Sequence, residues 1–205
     1  MTDPLLSLPV VDFTSGALRH RLQFGGGRGQ DLPRAVGMKR GKCPRIIDAT
    51  AGQGKDAFLL ASLGSEIVMI ERSDAMHDLL ANALIKAHAA GGIYQEIAAR
   101  ITLVHGDSIT LIPQMAEQIE AEVIVVDPMH PPRKKSALVN GDMRKIQALV
   151  GTDPDQKELI ETALANAQKR VVVKWPTKAD RLPGLRAPSH QITGKAISFD
   201  VFMVG

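Results

Sequence analysis

Ile46-Ile47-Asp48-Ala49-Thr50-Ala51-Gly52-Gln53-Gly54-Lys55-Asp56 is the stretch from which the rest of this 205-residue chain can be read. Ile46 and Ile47 make a short apolar strand ending in an acid, a turn of small residues follows, and a helix begins near Lys55. Gly52 and Gly54 lack the Cβ atoms that would hold a ligand away from the backbone, and the turn presents N–H groups at a helix N-terminus. An open parallel α/β sheet holds a nucleotide-like cofactor at such a strand–turn–helix. A Gly-x-Gly after a strand is also an ordinary tight turn, so this stretch alone leaves both readings open.

The residues that follow repeat the pattern. Ala57 to Leu63 is a compact apolar helix ended by Gly64, and Glu66 to Ile70 is a β-branched strand running into Glu71. Ser73 caps a helix with Leu79, Leu80, Ala83, Leu84 and Ala87 at helical spacing, stopped by Gly91-Gly92. Ile101 to Val104 is a strand entering His105-Gly106-Asp107-Ser108, with a helical segment at Pro113 to Ile119. Val123 to Val126 is an apolar strand entering Asp127-Pro128, and Asp153-Pro154 starts a helix running to about Gln168. Val171 to Val173 and Ile197 to Val204 are the last strands; the loop between them, Ala179 to Gly194, allows an antiparallel return at the sheet edge. Strands alternating with helices predict βαβ units and a mainly parallel sheet.

Four strand ends therefore carry polar residues: Asp48, Glu71, Asp107-Ser108 and Asp127-Pro128. In a parallel sheet they share the C-terminal edge, where ligands bind. Glu71 follows Asp48 by 23 residues, close to the ~20-residue interval at which a second-strand acid meets a ribose. One such acid is readily a helix cap; four in succession favour a binding site. A dinucleotide fingerprint fails, because Ala57 stands where the third glycine of Gly-x-Gly-x-x-Gly falls.

Composition bounds the class. A hydrophobic fraction of 44% and a charged fraction of 23% are ordinary for one soluble domain. The lone Cys43 excludes an internal disulfide framework and a multi-cysteine zinc site. No apolar run approaches the ~18 residues of a membrane span, and Leu5 to Val11 is short, broken by Pro9 and without a basic flank. A cytoplasmic protein with no membrane partner is expected. Net charge is +3, but residues 1–45 carry eight Lys/Arg against three Asp/Glu, and residues 169–205 seven against two. Residues 46–168 carry ten against seventeen, so basic ends flank an acidic centre. Either a polyanion is held by both ends, or solvated surface charge is unevenly spread. Near the N-terminus, Arg19 and Arg21 lie in a short basic helix, followed by Phe24-Gly25-Gly26-Gly27-Arg28-Gly29. A ring beside arginines and glycines suits RNA, although the same composition makes a plain linker.

The four strand ends resemble those of class I S-adenosylmethionine-dependent methyltransferases. The Phe24–Gly29 segment, Asp48 to Asp56, Glu71-Arg72, Asp127-Pro128-Met129, Lys135 to Val139 and Val171-Val172-Val173-Lys174 stand in the order of one family. On these motifs the chain resembles the bacterial small-subunit ribosomal RNA guanine-N2 methyltransferase J family from Val11 onward. That resemblance implies a Rossmann-like α/β fold, a mainly parallel sheet with an antiparallel edge strand. It divides the chain into a basic, Gly-rich N-terminal extension (1–40) and a methyltransferase domain (41–205). Asp48, Gly52, Gly54, Lys55, Asp56, Glu71, Arg72, Asp107, Ser108 and Asp127 are the implied S-adenosylmethionine-binding residues. Small-subunit (16S) ribosomal RNA, free or in the 30S subunit, is the implied partner. His130 departs from the family's usual Phe, and members of the family tend to carry a longer N-terminal region than this sequence.

The implied chemistry suits the residues. A guanine exocyclic amine is a weak nucleophile because its lone pair is delocalised into the ring. A carboxylate and a carbonyl accepting its two N–H bonds favour a pyramidal nitrogen, and Asp127 with Pro128 supplies both. The sulfonium leaving group is already activated, so neither a metal nor a covalent nucleophile is required. His130 stacks on the flipped base or faces solvent. Arg133, Lys134 and Lys135 join Arg19, Arg21, Phe24 and Arg28 as expected RNA contacts. The competing readings are amino-methylation of another RNA or of DNA adenine, and a non-catalytic RNA-binding module.

Overall fold

The computed structural model describes residues 10–128 and 155–204. Their order is α1 (Gly16–Phe24), a 3₁₀ turn (Gly27–Gly29), α2 (Asp31–Ala35), β1 (Ile46–Asp48), α3 (Lys55–Ser62) and β2 (Ile67–Glu71). Then follow α4 (Asp74–Ala90), α5 (Gly92–Ala98), β3 (Ile101–His105), α6 (Ser108–Gln118) and β4 (Val123–Val126). After the undescribed stretch come α7 (Gln156–Asn166), β5 (Arg170–Pro176), β6 (His190–Thr193) and β7 (Ile197–Met203). The expected His130, Arg133, Lys134, Lys135, the Lys135–Val139 motif and the Asp153-Pro154 helix start lie outside the described residues.

Seven strands form one sheet in the order β3-β2-β1-β4-β5-β7-β6. β1 to β5 are mutually parallel, with Ile46 opposite Ile67 and Val123, and Val123 opposite Arg170. β1, β2 and β4 are buried along their whole length, which is why they are unbroken apolar runs rather than alternating ones. Alternate residues feed two cores. Ile46, Met69, Val125 and Val172 face α3 to α5, while Ile47, Ile70, Val126 and Val173 face α6 and α7. The N-terminal segment joins the first core through Phe13, Leu18 and Leu32, and Phe13 stacks on Phe58 at 4.4 Å between ring centres.

The expected antiparallel return is β7, which pairs with β5 from Arg170–Met203 to Pro176–Ile197. The edge beyond it belongs to β6, a strand inside the span expected to be loop, which pairs with β7 at His190–Val201 to Thr193–Ser198. Asp200, 2% exposed, accepts from Arg181 and Gln191 and so ties the β5–β6 connection to the sheet. α5 and the short α2 also went unread. α5 carries too few periodic apolar residues to announce itself, and forms because Ile97 and Ala98 are buried in the first core. The helix expected at Pro113 begins earlier, at Ser108, because Asp107 Oδ1 accepts from the Ile109 N–H at 2.7 Å and caps it. α7 has Asp155 at its N-cap and ends at Asn166.

Candidate active site

The C-terminal ends of β1, β2, β3 and β4 open onto one cavity of about 330 Å³. All ten residues expected to hold the cofactor line it: Asp48, Gly52, Gly54, Lys55, Asp56, Glu71, Arg72, Asp107, Ser108 and Asp127. Strand ends bring together residues up to 79 positions apart, which helices and loops alone would scatter.

Glu71 is 5% exposed and holds the turn in shape. Its Oε2 accepts from the Gly52 N–H at 3.0 Å and its Oε1 from the Ser73 N–H at 2.9 Å. Burial raises its pKa above the usual carboxylate value, and those two N–H bonds oppose the shift. The carboxylate is thus fixed at the cavity wall before any ligand arrives.

The two glycines do different work, which corrects the sequence reading. Both have positive φ, +52° at Gly52 and +65° at Gly54. A Cβ on Gly52 would meet only Thr50 O, at 3.7 Å, so this position is open to a ligand. A Cβ on Gly54 would lie 2.9 Å from Leu80 Cδ2 and 3.0 Å from Phe13 Cζ. Gly54 is glycine because the first core presses on it.

Acids and bases alternate across the floor. Asp48, at the end of β1, is 7% exposed and accepts from the Thr50 N–H at 3.2 Å. Burial, with Asp56 and Asp127 nearby, pushes its carboxyl up to about 7. Asp56 sits in the first turn of α3, between Arg21 Nη1 at 2.8 Å and Lys174 Nζ at 2.8 Å. Burial is the largest influence on it and raises its pKa, but Lys174 and Arg21 together outweigh burial and hold it below the ordinary value. Lys174 Nζ also meets Asp127 Oδ2 at 2.6 Å. Burial would lower the Lys174 pKa, yet the two carboxylates override it and raise it. The Asp127 N–H donates to Thr50 Oγ1 at 2.7 Å, which sets the direction in which Asp127 and the buried Pro128 leave β4. Ser108 Oγ donates to Ala49 O at 2.7 Å and ties β3's end to the turn.

The remaining expected residues divide. Arg72 stands at the cavity with Asp155, 3.2 Å away. Asp107 lines the cavity but spends one oxygen capping α6. Arg21, expected as an RNA contact, points into the cavity toward Asp56 and is braced by Gln30 at 2.9 Å. Arg28 is not at this edge. It donates to Leu63 O at 2.7 Å, at the far end of α3, about 12 Å of helix away from Lys55. A guanidinium there satisfies a C-terminal helix carbonyl. Arg19 is exposed, and Phe24 is 71% exposed with His20 stacked obliquely on it at 5.0 Å. Trp175 is core.

Lys174, Asp155 and Leu159 are among the cavity residues to which the sequence assigned no role in the site. Lys174 had a signal, since it follows the apolar run Val171–Val173 at the same strand-end position as the acids. Asp155 and Leu159 had none, because α7 reaches the cavity only through the sheet's crossover. Among the described residues no group of three or more His, Cys, Asp or Glu is placed to hold a metal ion, and no helix is long and apolar enough to cross a membrane.

Comparison with known proteins bears on the family and the fold. A family model described as "Putative SAM-dependent methyltransferase" matches residues 2–204. The chain is 56% identical over 195 residues to "Ribosomal RNA small subunit methyltransferase J" of Agrobacterium fabrum, covering 95% of this chain and 92% of that protein. It is 46% identical to the protein of the same name from Shewanella loihica, covering 98% of this chain and 76% of that one. The crystal structure of a SAM-dependent methyltransferase from Neisseria gonorrhoeae superposes with a TM-score of 0.74 at 36% identity, covering 95% of this chain and 74% of that one. An RNA methyltransferase from Salinibacter ruber in complex with S-adenosyl-L-homocysteine shares the fold, with a TM-score of 0.52 at 17% identity over 84% of this chain and 89% of that one.

Proposed function

The chain belongs to the ribosomal RNA small subunit methyltransferase J family, and on that premise we propose that it methylates the exocyclic N2 amine of a guanine in small-subunit (16S) ribosomal RNA, at the cavity where the strands end. S-adenosylmethionine-dependent methylation of ribosomal RNA comes with the family. The choice of a guanine N2 and the roles of individual residues are supported by the chemistry of the cavity.

The residues present fit the cofactor. Asp48 and the open Gly52 turn offer an anion and backbone N–H groups to an amino-acid moiety. Glu71 offers a fixed carboxylate to a ribose hydroxyl pair. Ile70, Ile109 and Leu159 offer apolar walls to a purine, with Asp107 and Ser108 beside them. Bound there, S-adenosylmethionine supplies a methyl group on a sulfonium, already activated for transfer.

Everything else falls to the chain's own groups. The Asp127 carboxylate accepts one N–H of the guanine amine and the Pro128 carbonyl accepts the other. Together they hold the nitrogen with its lone pair toward the methyl group. As the N–C bond to the methyl forms and the S–C bond breaks, leaving a neutral thioether, positive charge develops on that nitrogen. The Asp127 carboxylate stabilises it and accepts the N–H proton already hydrogen-bonded to it, which then passes to water. Thr50, holding the Asp127 N–H at 2.7 Å, keeps the acceptor pair in place. Arg19 and Phe24, exposed on α1, are suited to RNA backbone and base contacts. His130, Arg133, Lys134 and Lys135 stay in this reading on sequence grounds alone.

The observation that carries the reading is the delivery of Asp48, Glu71, Asp107-Ser108 and Asp127 by four strand ends to one cavity. The test is transfer of labelled methyl from S-adenosylmethionine to small-subunit RNA, naked and in 30S particles, followed by mass spectrometry of the nucleosides. N2-methylguanosine is expected. Label on another base, or on a ring nitrogen, refutes it.

A further inference from the structure

The cation between Asp127 and the helix-borne Asp56 is Lys174, which lies beside the methyl-transfer carboxylate without facing the amine itself. Lys174 stands one residue past the β4–β5 pair Val126–Val173, so its neighbour across the sheet is Asp127. Strand alternation turns both side chains, and that of Asp48, toward the face that carries α3 and Asp56. The result is a row of alternating charge: Arg21, Asp56, Lys174, Asp127, with contacts of 2.8, 2.8 and 2.6 Å.

Three carboxylates, Asp48, Asp56 and Asp127, thus share one partly buried cavity with Arg21 and Lys174. Without Lys174, Asp56 and Asp127 would face each other and Asp48 across low-dielectric space with Arg21 as the remaining cation of the row. Mutual repulsion would then rotate one carboxylate away or protonate it. A lysine alone is a poor brace, because its four-carbon stem is flexible. Here the ammonium is held on both sides, and the Lys174 side chain is only 19% exposed. Asp56 in turn is fixed by Arg21 from α1.

We propose that Lys174 is the positioning residue of the methyl-transfer carboxylate: bridged to Asp56, it fixes the orientation and the negative charge of Asp127 for the incoming amine. The proposal rests on the functional reading above. It also gives Asp56 a second duty, as the anchor of Lys174. Lys174 takes no proton from the substrate and forms no bond to it; its effect reaches the amine only through Asp127.

The sign of the cofactor effect separates this role from a merely structural one. S-adenosylmethionine is cationic, so removing a cation from its cavity should hold or tighten its binding. Collapse of the cavity would weaken it. The variants are Lys174→Met, Lys174→Arg, Asp127→Asn and the double variant Lys174→Met/Asp127→Asn. Cofactor affinity is read by calorimetry, and single-turnover transfer to small-subunit RNA at saturating cofactor. Lys174→Met should slow transfer by about 100-fold, the scale of a misaimed reacting group, with cofactor affinity unchanged or higher. Lys174→Arg should recover much of the rate. The double variant should be no slower than Asp127→Asn, because residues acting as one unit are not additive. Should Lys174→Met not fold, Asp56→Asn weakens the far anchor of Lys174, together with the pair to Arg21, and should slow transfer by a smaller factor when the cofactor is kept saturating. Wild-type transfer by Lys174→Met, or a double variant slower than Asp127→Asn by the full Lys174→Met factor, overturns the proposal. A wild-type protein that binds the cofactor and methylates no ribosomal RNA overturns the functional reading instead.

Discussion

Replacing Asp48 by Asn should make the cofactor-free protein more stable at neutral and alkaline pH. Asp48 is buried at the end of β1, and its carboxyl is raised from 3.8 to about 7, first by burial and then by Asp56 and Asp127. The folded state therefore holds the proton more tightly than the unfolded chain does. That preference stabilises the fold fully below pH 3.8 and is lost as pH rises through about 7. At pH 8 the folded protein carries a buried anion that the unfolded chain would solvate, a cost of about 4 kcal/mol. Asn keeps an oxygen for the Thr50 N–H, now 3.2 Å from Asp48 Oδ1, and cannot ionise. Urea unfolding from pH 4 to pH 8.5, without cofactor, is the assay. The two proteins should be alike near pH 4, and Asp48→Asn should gain steadily on wild type up to about pH 7, then hold its lead. The cofactor reverses the balance, because its cationic groups favour the ionised carboxyl. Wild-type affinity should climb through the same pH range while that of Asp48→Asn stays low and flat. Parallel stability curves for the two proteins would refute the reasoning, since they would mean that Asp48 is ionised in the fold at no cost.

Gly54→Ala should cost about 2–4 kcal/mol of stability, from a left-handed backbone combined with overpacking against Leu80 and Phe13. Gly52→Ala, with open space around its Cβ, should cost about 1 kcal/mol and show its main effect as weaker cofactor binding; calorimetry and urea unfolding together separate the two. Glu71→Ala should weaken cofactor binding by about 1–3 kcal/mol and also loosen the turn, because the Gly52 and Ser73 N–H groups lose their acceptor. Asp127→Asn should slow methyl transfer at saturating cofactor by about 3–4 kcal/mol of barrier; full activity there would remove Asp127 from the chemistry. Neutralising Arg19 should flatten the salt dependence of RNA binding, whereas Arg28→Ala should leave it unchanged and lower the thermal midpoint through the lost bond to Leu63 O.

Strand ends were legible in the sequence because their signal is local. A central parallel strand is buried on both faces, so Ile46-Ile47, Ile67 to Ile70 and Val123 to Val126 announce themselves as apolar runs. The polar residue ending each run must then lie on the edge common to all, which alone determined the cavity and its acids. Short elements without periodicity, α2, α5 and β6, form because the first core or a neighbouring strand receives them, and no window of sequence contains that neighbour. Charge was the least legible. The excess of Lys and Arg at both ends of the chain suggested a polyanion, yet much of it pairs with the chain's own carboxylates and carbonyls, on the surface as well as in the cavity. Arg45 pairs with Glu120, Lys169 with Glu122, and Arg170 donates to Ala35 O. Arg28 caps a helix carbonyl, and Arg21 and Lys174 neutralise the acids of the cavity. A cation's role depends on which carboxylate or carbonyl lies within about 3 Å of it. For Lys174 those partners are 118 and 47 residues away in the chain, a separation that the strand register closes and the order of residues does not.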